Sequence, residues 1–179
     1  EPDTPARSLI LVCTHGMRDR CCARMGVPVA NALTALKPDQ VMQTSHLGGH
    51  RFAATAVVLP AGIHLGRLAP GEAGALLDAI DAGRIHRMDR YRGCTALRRT
   101  AQAAEAFLRE REGIMALDAV TYLGGHALDA ECVEERFQTP AGEVRVWVEA
   151  GPPGTPRLKR CGAEELSCPE SLRCRPAGS

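Results

Sequence analysis

The chain has 179 residues, with 22 Lys and Arg against 21 Asp and Glu, 45% hydrophobic residues and 24% charged residues. This composition is that of a folded domain with or without an extension, and it excludes a disordered chain. A net charge of +1 gives no reason to expect nucleic acid or an anionic membrane as partner. The chain has six aromatic residues, and this low number argues against a surface that binds RNA by stacking on its bases. No apolar run reaches the length of a membrane span. The outlier is eight cysteines, which in the default compartment, the cytoplasm, serve metal or redox chemistry more often than disulfides.

The first half of the chain predicts an alternation of strands and helices. Ser8–Cys13 is predicted as a buried strand, Pro28 as the first residue of a helix ending before Lys37, and Val41–Ser45 as a second strand. Two further strands, Ala54–Leu59 and Ile63–Leu68, flank a Pro-Ala-Gly turn, and a helix follows over Gly71–Ala82.

The second half predicts a small α+β extension. A helix is expected over Thr100–Glu112, followed by strands at Val120–Leu123, Val133–Phe137 and Val144–Val148. We therefore expect a core at residues 1–85, an extension at 86–150, and a Pro/Gly-rich linker and cysteine-containing tail at 151–179. Arg84–Arg99 holds six arginines and one acid, which is typical of a solvated surface and also of a docking patch for an acidic partner.

Two polar segments follow the first two predicted strands. One runs from Cys13 to Cys22 and contains Cys21, and the other is His46-Leu-Gly-Gly-His50. Neighbouring parallel strands would bring both segments to one edge of the sheet. On an extended strand the two histidines would be about 13 Å apart, and two glycines in a helix would cost about 2 kcal/mol. The spacing therefore favours a tight loop that wraps a metal centre.

Two thiols and two imidazoles suit either tetrahedral zinc or a two-iron cluster. Eight residues separate Cys13 from Cys22, which is longer than zinc-finger spacing and favours the wider cluster. Cys13-Thr-His15 matches half of a Rieske motif, but the Cys-x2-His half is missing, so His15 is interpreted as an accessory or surface group. Cys94 and Cys132 are interpreted as packing residues. The tail thiols Cys161, Cys168 and Cys174 are interpreted as incidental, with a local disulfide or an accessory metal site as alternatives.

The segments Leu11–Cys22, Ser45–Leu68 and Tyr91–Glu110 resemble the sucrase/ferredoxin-like family, which comprises thioredoxin-like ferredoxins related to fungal proteins with a bis-histidinyl, non-Rieske [2Fe–2S] cluster. The resemblance implies an α/β fold, with a thioredoxin-like ferredoxin core and a small α+β C-terminal extension. It implies a [2Fe–2S] cluster held by Cys13, Cys22, His46 and His50, although Cys21 beside Cys22 leaves the second thiol ligand open. Gly48, Gly49 and Arg51 are expected to contact the cluster.

The sequence thus predicts a one-electron carrier or redox sensor rather than an enzyme. A zinc-stabilised structural or binding module is one alternative, and a thioredoxin-like thiol oxidoreductase is another, although the chain has no Cys-x2-Cys motif. No sucrase activity is expected, because no segment presents the carboxylate pair that glycoside hydrolysis needs. The expected partner is an acidic redox protein that docks near Arg84–Arg99.

Overall fold

The computed structural model describes residues 7–159, 161–162 and 164–178. These residues divide into two compact units. The first contains the described residues up to Cys94 together with 161–162, and the second contains 95–159 and 164–178. Among the described residues, no helix is both long enough and apolar enough to cross a bilayer.

The first unit is built on a five-stranded mixed sheet. Its strands are β1 (Leu9–Cys13), β2 (Val41–Thr44), β3 (Ala56–Leu59), β4 (Ile63–Leu65) and β5 (Tyr91–Cys94). They lie in the order β2-β1-β3-β4-β5, with β1 and β2 parallel and the other neighbours antiparallel. The order β2-β1-β3-β4 with this pairing is that of the thioredoxin fold. The predicted fold class is therefore confirmed, and so is the expectation that the first two strands are parallel neighbours.

Two helices, α1 (Arg20–Leu36) and α2 (Ala73–Asp81), pack against each other in the first unit. The expectation that α1 begins at Pro28 is wrong, because Pro28 lies inside a helix that begins eight residues earlier. The buried positions of α1 are spaced like one face of a helix throughout, which explains why the longer helix forms. They are Cys22, Gly26, Val29, Ala30 and Leu33.

Strand β5 lies inside the arginine-rich segment and is not predicted by the sequence. It pairs antiparallel with β4, and only Tyr91 and Gly93 of its residues are buried, so its short Tyr-Arg-Gly-Cys sequence gives a weak strand pattern. Because β5 completes the sheet, the first unit runs to Cys94 rather than ending near residue 85.

The second unit is a four-stranded antiparallel sheet with one helix, α3 (Arg99–Glu112). Its strands are β6 (Thr121–Ala127), β7 (Cys132–Thr139), β8 (Gly142–Ala150) and β11 (Leu172–Pro176), in the order β11-β8-β7-β6. Ala104 and Leu108 of α3 pack with Phe137 and with Val146 and Val148 in its core.

The chain after residue 150 is more structured than a linker and tail. Two short strands, β9 (Arg157–Leu158) and β10 (Leu166–Ser167), pair with each other, and β11 pairs with β8 along its full length. The prolines of this region mask the strand pattern, since they are rare in strands and indicate a loop from sequence alone.

Candidate metal centre

The candidate site lies at the carboxyl edge of the two parallel strands. Cys13 is the last residue of β1 and is in register with Thr44, the last residue of β2. The amide of Thr14 donates a hydrogen bond to the Thr44 carbonyl at 3.2 Å, which holds the two exits together. The segment after β1 leads into α1, and the segment after β2 carries the His-x-Gly-Gly-His loop, so both polar segments meet here.

Three side chains form the first donor group at this edge. The Sγ atoms of Cys13 and Cys22 and a ring nitrogen of His46 all lie within 4.8 Å of one another. Within this group, Cys22 Sγ is 3.9 Å from His46 Nδ1. Cys13 and Cys22 are 0% and 1% exposed, so both thiols are removed from water.

A second donor group consists of Asp19, Cys21 and His50, again within 4.8 Å of one another. Cys21 Sγ is 3.9 Å from His50 Nδ1. The carboxylate of Asp19 joins the two groups, because its two oxygens lie 3.9 Å from His46 Nε2 and 3.8 Å from His50 Nδ1. Asp19 is 2% exposed, so this carboxylate is buried between two imidazoles.

The four predicted metal ligands are thus divided between two adjacent groups. Cys13, Cys22 and His46 are brought together directly, whereas His50 is grouped with Cys21 and Asp19. Both adjacent cysteines, Cys21 and Cys22, face the site from the first turn of α1. The choice between them stays open, because each has a histidine nitrogen at 3.9 Å. His15 is half-buried and belongs to neither group.

The glycines of the histidine loop take the backbone conformation that such a loop requires. Gly48 and Gly49 have φ values of 86° and 66°, a backbone conformation that residues other than glycine rarely adopt. The Gly49 carbonyl accepts a hydrogen bond from the Phe52 amide at 2.7 Å, and a short 3-10 turn begins at His50. The loop is therefore tight, as the sequence predicts, and it places Arg51 in solvent. A contact of these residues with a cluster stays a prediction.

Helix α1 contributes its N-terminal end to the site. Cys21 and Cys22 lie in its first turn, which contains no acidic residue, and the Asp19 carbonyl accepts a hydrogen bond from the Cys22 amide at 2.9 Å. The partial positive charge at a helix N-terminus favours thiolates and other anions placed there. The fold therefore places two cysteines where their charged form is electrostatically assisted once the thiol proton leaves.

The protein surroundings of Cys21 and Cys22 favour the protonated form of both thiols. Burial and, after it, the neighbouring Cys13 together raise the pKa of Cys22 to about 12. Burial also raises the pKa of Cys21, with the Cys161 thiol adding to the effect. A reactive nucleophilic cysteine needs the opposite, a lowered pKa. The pair is therefore poorly suited to thiol–disulfide chemistry at neutral pH and needs a cation to displace its protons.

Sequence reasoning missed two participants in the site. Asp19 lies in the polar segment between Cys13 and Cys22, but nothing local indicates that it would lie between two histidines. The amide of Cys161 donates a hydrogen bond to Asp19 Oδ1 at 3.0 Å, so this tail residue is at the site even though 142 residues separate them. All eight cysteines lie in the described part of the chain and none of them forms a disulfide, which leaves the alternative of a local disulfide without support. Cys168 is exposed, and Cys174 packs against the core of the second unit.

A cationic cluster lies beside the histidine loop. The guanidinium carbons of Arg92 and Arg67 are 4.4 and 5.4 Å from the centre of the Phe52 ring. His64 is close to Gly49, and its Nε2 is buried without a hydrogen-bond partner among the described residues. Burial and, secondarily, Arg92 lower the pKa of His64. His64 therefore stays neutral at neutral pH and supports the loop by packing.

Comparison with known proteins places this site in a family. A family model described as Sucrase/ferredoxin-like matches residues 1–93, just over half of the chain. A curated relative, Altered inheritance of mitochondria protein 32 of Meyerozyma guilliermondii, is 32% identical over 96 residues, which cover 48% of this chain and 34% of the relative. The chain thus matches about a third of the length of that relative.

A solved structure is also similar in part. It is a thioredoxin-like [2Fe–2S] ferredoxin from Aquifex aeolicus, 18% identical, with a TM-score of 0.38, and the match covers 43% of this chain and 90% of that one.

Proposed function

The chain belongs to the sucrase/ferredoxin-like family, and on that premise we propose that it binds a [2Fe–2S] cluster and carries one electron at a time. The proposed ligands are Cys13, Cys22, His46 and His50. The observation that carries the proposal is the convergence of thiol and imidazole donors at one sheet edge, within 4.8 Å of one another in each of two adjacent groups. Both groups lie inside the segment that the family model matches.

The chemistry of the donor set supports such a cluster. Thiolate and imidazole are both ligands of [2Fe–2S] centres, and two of each supply two ligands per iron. The two proposed thiol ligands are buried, whereas the side chains of His46 and His50 are 19% and 17% exposed. When bound, the cluster would accept or donate a single electron, and neutral imidazoles would place its potential above that of an all-cysteine ferredoxin.

The protein's own residues would hold this centre in place and isolate it. Burial of Cys13 and Cys22 keeps water from the thiolates, and the N-terminus of α1 favours their negative charge. The Asp19 carboxylate lies between the two imidazoles, 3.8 and 3.9 Å from a nitrogen of each, where it would help to orient them as carboxylates do for metal-bound histidines. Gly48 and Gly49 let the backbone of the loop approach closely. Arg51 offsets negative charge at the rim of the site.

The first experiment is a UV–visible spectrum of anaerobically purified protein, with iron, sulfide and zinc assayed on the same sample. A red-brown protein with about two irons and two sulfides per chain is the expected result. A colourless protein with one tightly held zinc would overturn the electron-carrier proposal and indicate a structural zinc module.

Because the pKa values of Cys21 and Cys22 are raised, we expect slow alkylation of the metal-free protein by iodoacetamide at neutral pH. Fast alkylation there would favour a thiol oxidoreductase.

A matched pair of variants assigns the second thiol ligand. Cys22→Ser is expected to abolish or strongly shift the charge-transfer bands of the cluster, whereas Cys21→Ser is expected to leave them close to those of the wild type. The two residues are adjacent on α1, so the same substitution has a similar effect on the helix in both variants. The reverse pattern would assign Cys21, with His50 as its neighbour, and would change the ligand set without removing the cluster.

A reducing compartment such as the cytoplasm fits a chain whose eight cysteines, all in the described residues, form no disulfide, and we include that location in the proposal. The proposed function also includes an acidic redox protein as the partner. The arginine-rich segment proposed as its docking patch carries several arginines that already have partners. Arg87 and Arg90 pair with Asp89 and Glu72 in the first unit, and Arg98 and Arg99 pair with Glu135 and Glu170 in the second.

A further inference from the structure

Four exposed arginines lie within or shortly after the two segments that build the candidate site, and we refer to them as the arginine rim. Arg18 and Arg20 flank Asp19, Arg24 follows Arg20 by one helical turn, and Arg51 follows His50. In the part of the chain that the structure describes, none of the four forms an ion pair with a carboxylate. The one acid within these two segments, Asp19, is buried between His46 and His50. The rim therefore carries uncompensated positive charge next to the site.

Two exposed methionines lie within the same stretch of chain. Met17, immediately before Arg18, is 93% exposed, and Met25, one helical turn after Cys21, is 45% exposed. Methionine is flexible and polarisable, and such side chains are common on surfaces that contact partners transiently. A small apolar contact surrounded by charge is typical of electron-transfer encounters, whose interfaces are among the smallest known.

The arginine-rich segment Arg84–Arg99 is a weaker docking candidate than the rim. Four of its six arginines are paired with carboxylates, and Arg92 donates to the Asp89 carbonyl at 2.6 Å and stacks on Phe52. Its members are also divided between the two units of the chain. Unpaired charge is what steers an oppositely charged protein toward a surface, and in this comparison it is concentrated at the rim.

We propose that the arginine rim together with Met17 and Met25 is the docking surface for an acidic redox protein, with the electron exchanged at the adjacent metal centre. The identity of the exchanged species rests on the proposed function, whereas the docking surface itself rests on charge and exposure. In one encounter a single electron leaves one protein, which is oxidised, and enters the other, which is reduced. Of the four proposed ligands, His46 and His50 are the partly exposed ones, at 19% and 17%, whereas both thiols are buried.

The probe for this proposal is a fluorescently labelled plant-type ferredoxin, an acidic [2Fe–2S] protein, and binding to the full chain is followed by anisotropy. Arg20→Glu with Arg24→Glu reverses two rim charges, and the new acids near the first turn of α1 favour the helix. We expect the association constant of this variant to fall at least about tenfold at low salt. The wild-type association should itself weaken strongly between about 20 mM and 300 mM salt, as surface charges are screened.

The matched control is Arg84→Glu, which makes the same change of charge as Arg24→Glu at another exposed arginine of the first unit, one that forms no ion pair with any described carboxylate. We expect this control to change the association constant less than about twofold. An equal loss in Arg24→Glu and Arg84→Glu would overturn the proposal, because binding would then follow net charge alone. A basic cytochrome c is the probe of opposite charge and is expected not to bind. Its binding to the wild type with similar strength would also overturn the proposal.

The spectrum of each sample separates this proposal from the proposed function. A red-brown chain that binds the acidic probe equally well with and without the rim charges overturns the docking surface and leaves the cluster in place. A colourless chain whose binding still depends on Arg20 and Arg24 overturns the electron-carrier function and supports the docking surface alone.

Discussion

Gly26 lies against the carbonyl of Cys13, where a Cβ atom on residue 26 would be 2.0 Å from the Cys13 oxygen. Real Cβ contacts are never this short, so only glycine lets α1 pass so close to the end of β1. Gly26 lies one turn after Cys22 on the buried face of α1. This close approach sets the distance between the two proposed thiol ligands, Cys13 on the strand and Cys22 on the helix.

Gly26→Ala is expected to force α1 away from β1, and overpacking of this kind costs about 1–3 kcal/mol. The separation of Cys13 and Cys22 would increase, so metal content per chain should fall along with the midpoint of urea unfolding. Gly74→Ala on α2 is the control, since a Cβ there meets no atom within 4 Å and the same substitution should be neutral or stabilise by about 0.4–1 kcal/mol. Unchanged iron or zinc content in Gly26→Ala would show that the close approach does not set the site geometry.

Metal binding to the metal-free protein is expected to release protons. Because the pKa of Cys22 is about 12, its thiol is protonated at neutral pH and must lose that proton to act as a ligand. The apparent affinity for Zn²⁺ should therefore rise about tenfold per pH unit for each thiol proton displaced. Titrations of Zn²⁺ at several pH values measure this slope.

Cys22→Ser is expected to reduce that slope by about one proton, because one thiol ligand is removed. Cys94→Ser is the comparison, since Cys94 is in the same unit but in neither donor group. A slope that Cys22→Ser leaves unchanged would mean that Cys22 does not bind the metal.

Much of the fold could be predicted from local patterns. The short apolar runs that form β1 and β2, the Pro-Ala-Gly turn between β3 and β4, and the amphipathic α3 all carry their signal within a few residues. The meeting of Cys13 with the histidine loop followed from the same reasoning, because parallel neighbouring strands end at one edge. Predictions of this kind need only periodicity and the geometry of a sheet.

The remaining features depend on contacts between distant parts of the chain. The hydrogen bond from the Cys161 amide to Asp19 spans 142 residues, and nothing in the sequence near either residue indicates it. Pro28 indicates a helix start when only its neighbours are considered, yet the buried face from Cys22 to Leu33 maintains a helix through it. Strand β5 forms because β4 offers it an open edge, a tertiary effect that its own four residues do not encode.

His64 is expected to make the stability of the first unit depend on pH. Its pKa in the folded chain is lowered, chiefly by burial, from the ordinary value of 6.5. The unfolded chain therefore binds more protons than the folded chain in the range between the folded pKa and 6.5. The free energy of unfolding should be unaffected by this group above pH 6.5 and should fall as the pH decreases through that range.

Urea unfolding of metal-free His64→Gln between about pH 7.5 and pH 5 measures this contribution, with the wild type as reference. The loss of stability on acidification should be smaller in the variant. His126→Gln, at an exposed position of β6 in the second unit, is the control and should follow the wild type. Parallel pH profiles for wild type and His64→Gln would contradict the expected linkage.

In the second unit, Arg98 and Glu135 form an ion pair whose partners differ sharply in exposure. Arg98 Nε and a terminal nitrogen donate to the two carboxylate oxygens of Glu135 at 3.0 and 3.1 Å, and the Tyr122 hydroxyl donates to the same carboxylate at 2.8 Å. The side chain of Glu135 is 0% exposed, whereas that of Arg98 is 48% exposed. Removing each partner should therefore have a different cost.

Arg98→Met leaves the buried carboxylate without its counterion and is expected to destabilise the second unit by about 3 kcal/mol or more. Glu135→Gln leaves the cation in contact with water and keeps a hydrogen-bond acceptor for Tyr122, so its expected cost is about 1 kcal/mol. Urea unfolding monitored by the fluorescence of Trp147 on β8 reports this unit, because Trp147 is the one tryptophan of the chain. A larger loss in Glu135→Gln than in Arg98→Met would mean that uncompensated burial of the carboxylate does not control the stability of this unit.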